Sequence, residues 1–383
     1  MTDPSLRKKA FGLGSTATLL GGSAGAMVVG LLAAPAGATG TTFTVDTLAD
    51  GAANASDCTA PVAGSCSLRD AIAATSDGDT IVFASGVTGT ITLDPLVGEL
   101  QVGSEITIAG PGASALTIDA AGASRVFYLR GGPLSEFSGV TITGGSDSKG
   151  GGLYDEGGNG MTLRNVVLTG NTATGGKGGG LYSSGHVTII NSTISNNTAF
   201  GDGGGVYAGS LDIQGSRFGG NVAVANGVGG AFLCDSYLTM TGSTLYSNSA
   251  TYGGAAYVRN STTISDSTFD GNTSAMSGGG LLFSGSGQTV VIVSSTFVGN
   301  AATGGIGGGI DIGAMSNVVT IANSTFTTNA AVVGGAINTI DGNHLSLFQD
   351  TITGNSSTSI DPLYSGGGVH LGSGFSGSLI GTI

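Results

Sequence analysis

Chemistry on a sugar polymer needs carboxylates gathered on one face, as acid/base pairs or calcium ligands, often with a basic residue beside them. The densest such group in this chain is Asp147, Lys149, Asp155 and Glu156, with Arg164 nearby. Asp155 falls on the inward parity of its strand, which breaks the set. Asp202, Asp212, Asp235, Asp266, Asp270 and Asp311 are scattered along the chain. His186, His344 and His370 share no ligand spacing and read as surface residues. The expectation is no catalytic residue, no metal and no cofactor.

A row of rings is the sharper feature. Tyr154, Tyr182, Tyr207 and Tyr257 each follow an aliphatic residue at the same point of a repeat, on the outward parity. Leu233, Leu282, Asp311, Asn338 and His370 continue the column. An exposed tyrosine row is suited to stacking on sugar rings or docking a partner, which makes these four the candidate ligand contacts. The plainer reading is that the rings pack on one another along a sheet, where tyrosine is common. A second outward column, Thr193, Thr244, Thr268, Thr296, Thr325 and Thr351, is interrupted by Arg217 and is explained by threonine pairing across strands.

The elements that position these columns come from a repeat. Between Gly150 and Val369 the phrase Gly-Gly-(Gly/Ala)-aliphatic occurs nine times, with 24 to 32 residues between successive aliphatics. Such a period predicts a solenoid in which each coil buries its apolar face against its neighbours. In the coil from Gly178 to Asn197, a turn leads into a strand at Leu181. A second strand at Val187–Ile189 and a third at Thr193–Ile194 follow. The second strand's inward column reads Leu163, Ile189, Ile213, Met240, Ile264, Ile292, Ile321, Leu347. The third strand's reads Leu168, Ile194, Phe218, Leu245, Phe269, Phe297, Phe326, Ile352. Three residues after each of the latter stands an asparagine, from Asn171 to Asn355, expected to tolerate left-handed backbone and to bond to its copy in the next coil. The predicted fold is an all-β, right-handed parallel β-helix with about three short strands per coil.

The ends are read differently. Arg7, Lys8 and Lys9, an apolar stretch from Phe11 to Ala34 and Ala36-Gly37-Ala38 predict a cleaved export signal over 1–38, in preference to a membrane anchor. Removing it takes three basic residues and one acidic one, so the net charge moves from −13 to −15. That balance argues against nucleic acid and fits a soluble chain outside the cell. Cys58 and Cys66, in an exported segment, are expected to form a disulfide, and Cys234 to be a buried, inert thiol. Segment 39–79 reads as a cap, with a short helix opened by Ser67 and Asp70 as a capping box. Residues 80–149 read as irregular first coils, with strands near 80–83, 89–93, 106–108, 116–119, 126–129 and 140–143. Residues 150–383 are the regular repeats, which read as truncated at Ile383 and as part of a longer, surface-anchored chain.

Two stretches resemble known families. Cys66-Ser67-Leu68-Arg69-Asp70-Ala71-Ile72, followed by Gly78-Asp79-Thr80-Ile81-Val82-Phe83, resembles the CSLREA domain of exported bacterial proteins, with Asp70 where that motif has Glu. The Gly-Gly-(Ala/Gly)-aliphatic and Phe-x-x-Asn pairs, the latter at Phe218, Phe269, Phe297 and Phe326, resemble the repeat of polymorphic outer-membrane proteins. These resemblances imply a pectin-lyase-like β-helix in a secreted or surface protein. The function read from the sequence is non-enzymatic: an elongated face for adhesion to a host, cell-surface or polysaccharide ligand. The alternative is a polysaccharide lyase, a glycoside hydrolase or a carbohydrate-binding stalk, since the fold hosts all of these.

Overall fold

Each repeat opens on glycines because its backbone leaves no room for a Cβ. In the computed structural model, Gly178 has φ +67° and an added Cβ would lie 2.1 Å from the Leu181 carbonyl oxygen. At Gly179 it would lie 2.2 Å from the carbonyl oxygen of Gly204 in the next coil. The third position admits Ala231, Ala255 or Ala336 as well as Gly, and the aliphatic that follows is buried. The structure describes residues 40–361, 366–374 and 376–383. The expected signal, 1–38, lies outside them.

Among the described residues the strands form three parallel sheets of 22, eleven and nine members. Coils stack in register: Leu163 pairs with Ile189, Ile189 with Ile213 and Ile213 with Met240. Both inward columns are buried up to Leu347 and Phe326, with Ile352 half-buried. In the third-strand column the Phe269, Phe297 and Phe326 rings stack at 4.4 and 4.8 Å.

The three strands of a coil are not placed as the sequence suggested. The first two belong to one sheet and run together in Leu181–Ile190 and Val206–Gln214. The third sheet comes from short strands after each asparagine, such as Thr172–Ala173, Thr198–Ala199 and Val222–Ala223. Two-residue strands carry too little alternation to be recognised.

The asparagine column is a hydrogen-bonded ladder. Asn171, Asn197, Asn221, Asn248, Asn272, Asn300 and Asn329 each donate Nδ2 to the next Oδ1, at 2.9–3.0 Å. The left-handed residue, however, is the one before each asparagine: Gly170, Asn196, Gly220, Ser247, Gly271, Gly299, Thr328 and Gly354. That turn swings the following side chain inward, where its amide meets its copies. A second ladder stands at another corner. Ser192, Ser216, Ser243, Ser267 and Ser295 each donate their backbone N–H to the next serine Oγ, and Ser324 donates to Asp350.

At the N-terminal end Thr42–Val45 pairs with Asp79–Phe83 to form a first rung. The helix Leu68–Ala74 packs against both strands with Leu68, Ala71 and Ile72 buried. Ser67 and Asp70 form the expected capping box and Cys58 is bonded to Cys66. Arg69 ties this helix down through Asp50, at 2.8 Å, and the carbonyls of Gly98 and Glu99.

Candidate functional site

Parallel register lines up the outward column as Tyr128, Tyr154, Tyr182, Tyr207, Leu233, Tyr257, Leu282, Asp311, Asn338 and His370. Its first half is closed. Ring centroids are 5.6, 5.4 and 4.9 Å apart from Tyr128 to Tyr207. Cations cover them: Arg125 lies 4.6 Å from the Tyr154 centroid, Lys149 5.4 Å from Tyr182 and Lys177 4.3 Å from Tyr207. Each contact of this kind stabilises by ~0.5–2 kcal/mol, depending on desolvation.

The tyrosine row is therefore not the exposed surface its parity suggested. Tyr207 is buried, its hydroxyl donates to Asp235 and Lys177 Nζ donates to it at 3.2 Å. Burial is the main reason its phenol is held well above the ordinary range. Tyr154 and Tyr182 are half-buried, and Tyr257 is separated from them by Leu233. Sequence reasoning missed Tyr128 and the covering cations. The signal was Lys149 and Lys177, each standing immediately before a Gly-Gly-Gly turn.

The carboxylate group around the first repeat is dispersed. Asp147 pairs with Arg125, which also binds Glu99. Buried Asp155 accepts the N–H groups of Gly158 and Gly160 and the Ser183 hydroxyl. Glu156 bonds to Tyr128 and to the Gly131 N–H, and both lower its carboxyl, Tyr128 the more. Arg164 pairs with Glu136 at 3.2 Å.

Beyond Leu233 the column is flanked by cavities, and Arg259 lies 5.4 Å from the Tyr257 ring centroid. The strands beside it lengthen from two residues to the five and six of Thr273–Ser277 and Ala301–Ile306, which raise a wall. Between that wall and the column run two adjoining cavities of about 450 and 750 Å³, sharing Ile306 and Ile340. Tyr252, Tyr257, Leu282 and Asp311 line the first; Asn338, Asp341 and His370 line the second. Aromatic and aliphatic walls with a few placed polar groups are the usual composition of a ligand site. On its floor Asn338 Nδ2 donates to Asp311 Oδ1 at 2.7 Å, and His370 Nδ1 lies 2.8 Å from Asn338 Oδ1. Burial pushes the Asp311 carboxyl up to about 7, against the lowering effect of hydrogen bonds from Asn338 and Ser277.

Two other groups have structural explanations. His186 bonds to Ser210 and lies 3.3 Å from Asp212, an order of types that resembles a hydrolase triad. His344 makes the same contacts with Ser376 and Ser346 without an acid, so the arrangement is a habit of this sheet position. Cys234 is buried, its thiol pushed up to about 12 chiefly by burial, and it donates to the Tyr237 carbonyl at 3.1 Å. The folded protein is expected to resist a disulfide-exchange thiol reagent at mild alkaline pH, and to react at one site once denatured without reductant. Rapid labelling of the native chain would contradict that burial.

A family model described as "Right handed beta helix region" matches residues 112–273. No curated protein matches the chain. Among solved structures the chain is similar to the crystal structure of pectate lyase Pel9A, with 16% identity and a TM-score of 0.38, over 91% of this chain and 79% of that one. The fold is a right-handed parallel β-helix.

Proposed function

We propose that this chain is a secreted or cell-surface β-helix protein that binds an extended, neutral polysaccharide in its lateral groove without cleaving it. The observation that carries the reading is the change along one column, from tyrosines packed ring on ring to a stretch flanked by two adjoining cavities, lined by Tyr257, Leu282, Asp311, Asn338 and His370. A polymer lying along the axis meets a new side chain every ~4.8 Å. The net charge of −13 disfavours anionic glycans. Export is supported by the signal-like N-terminus and by the CSLREA-like residues 66–72, and adhesion by the likeness to polymorphic outer-membrane repeats.

Cellohexaose, a straight and neutral oligosaccharide, is a suitable probe in titration calorimetry. Tyr257→Ala removes a ring from the groove and is expected to weaken binding about tenfold, the worth of one stacking contact. Equal binding by the variant would take the groove out of consideration. The second reading, a polysaccharide-active enzyme, is favoured by one observation: Asp311 is a groove carboxyl that holds its proton near neutrality. New reducing ends or unsaturated products after incubation with a soluble glucan or pectin would replace binding with catalysis.

A further inference from the structure

We propose that the smaller cavity receives O-acetyl groups carried by the glycan, with the space at Gly313, between Leu282 and Asp311, as the seat of the acetyl methyl. The bound class is then an O-acetylated neutral polysaccharide. This inference deepens the function proposed above and rests on it.

The lining of that cavity suits an unmodified sugar only in part. Tyr252 and Tyr257 are rings on which the C–H face of a pyranose can stack. Val228, Leu282, Ile306 and Ile340 offer a hydroxyl no partner, and a hydroxyl pressed against them gives up water without a replacement. An O-acetyl group exchanges that hydroxyl for a methyl and for a carbonyl that only accepts. It asks for an apolar seat with a donor at its edge.

Gly313 makes the seat. Its φ lies outside the left-handed region, so the backbone does not demand glycine there. Crowding does not demand it either. An added Cβ would lie 3.3 Å from Leu282 Cδ1, 3.5 Å from Asp311 Oδ2 and 3.7 Å from the Phe283 carbonyl oxygen. At the turn glycines Gly178 and Gly179 the same atom would meet carbonyl oxygens at 2.1 and 2.2 Å. Gly313 is exposed and lines the cavity, so the side chain it lacks leaves a methyl-sized space open to a ligand. Leu282 and Asp311 are paired rungs of one sheet, and register holds the two walls of the seat together. Asp311 Oδ1 is occupied by Asn338 Nδ2, and Ser277 also bonds to the carboxyl. Oδ2 is the oxygen beside the seat. Burial pushes this carboxyl up to about 7, so at mildly acid pH it holds a proton to donate to an ester carbonyl. The Ser284 hydroxyl lines the same cavity as a second donor.

The test is titration calorimetry at about pH 6, where a carboxyl raised in this way is mostly protonated. It compares sparsely O-acetylated cellohexaose with the same sample after mild alkaline deacetylation. The acetylated sugar is expected to bind at least about fourfold tighter, the worth of one buried methyl group. Gly313→Ala fills the seat from the protein side and should bring the two ligands to the same affinity. Equal affinity in the wild type, or a preference that survives Gly313→Ala, would overturn the inference. Should Gly313→Ala lose both ligands, Leu282→Ala decides, because it removes one wall of the seat. A larger loss for the acetylated sugar then supports the seat, and an equal loss overturns it. Decanoate binding more tightly than the acetylated sugar would assign the aliphatic lining to an acyl chain and overturn the inference as well. Binding of both sugars without preference leaves the glycan function standing and removes only the acetyl seat; binding of neither removes both.

Discussion

Asn272→Asp is expected to destabilise the β-helix by about 3–5 kcal/mol at neutral pH, although the two side chains differ little in shape. The wild-type amide is fully used. Its Oδ1 accepts the backbone N–H and Nδ2 of Asn248, and its own Nδ2 donates to the Leu245 carbonyl and to Asn300 Oδ1 at 2.9 Å. In an aspartate the first oxygen keeps its donors. The second faces two acceptors, and a charge is placed where the side chain is fully buried. Asp350, at the end of the serine ladder, shows the same strain in the native chain: its Oδ1 receives the Ser324 N–H, its buried Oδ2 has no hydrogen-bond partner, and burial raises its carboxyl. The measurement is a urea midpoint for wild type and variant at neutral and at acid pH. Protonation restores one donor, so the deficit should shrink as pH falls. A variant that unfolds with the wild-type midpoint at both pH values would show that the ladder contributes little. Asn272→Ala is expected to cost less than the charge, because each side of the gap still keeps part of its bonding.

The parts of this fold that were legible are those written by side-chain type at a fixed interval. The inward Ile, Leu and Phe columns and the asparagine ladder recur once per coil, and a parallel sheet converts recurrence into contact. The serine ladder was as regular but hidden, since Ser192 or Ser243 in isolation reads as an ordinary turn residue. The third sheet was hidden by its length. The groove was hidden for another reason. Its floor was readable as a column that includes Asp311, Asn338 and His370, but its depth comes from the lengthened strands Thr273–Ser277 and Ala301–Ile306. Whether an outward ring is free or covered depends on where a loop drops a cation, as Lys177 does over Tyr207. Those distances belong to the coil's closure and leave only a faint trace in spacing.

Stability should fall as pH rises from about 4 to about 7, and Asp311 should supply the largest single part of that fall. Its folded carboxyl is pushed up to about 7 from the ordinary 3.8, so within that window the native state holds a proton that the unfolded chain has released. Stability contributed by a raised carboxyl is complete below the unfolded value and is lost as pH passes the folded one. The difference between the two values corresponds to about 4 kcal/mol across the window. Glu99 and Asp350 are also raised, mainly by burial, and slope the same way, whereas Glu156 is lowered and slopes oppositely. The contribution of Asp311 is therefore read as a difference between wild type and Asp311→Asn, by urea unfolding at several pH values. The variant carries no proton to lose, so its curve should be flatter by that amount, crossing the wild type and lying above it at alkaline pH. Parallel curves would mean that the groove carboxyl is as well solvated folded as unfolded. The groove would then hold an ordinary carboxylate at the pH where a ligand meets it, and no neutral acid would be available to read that ligand.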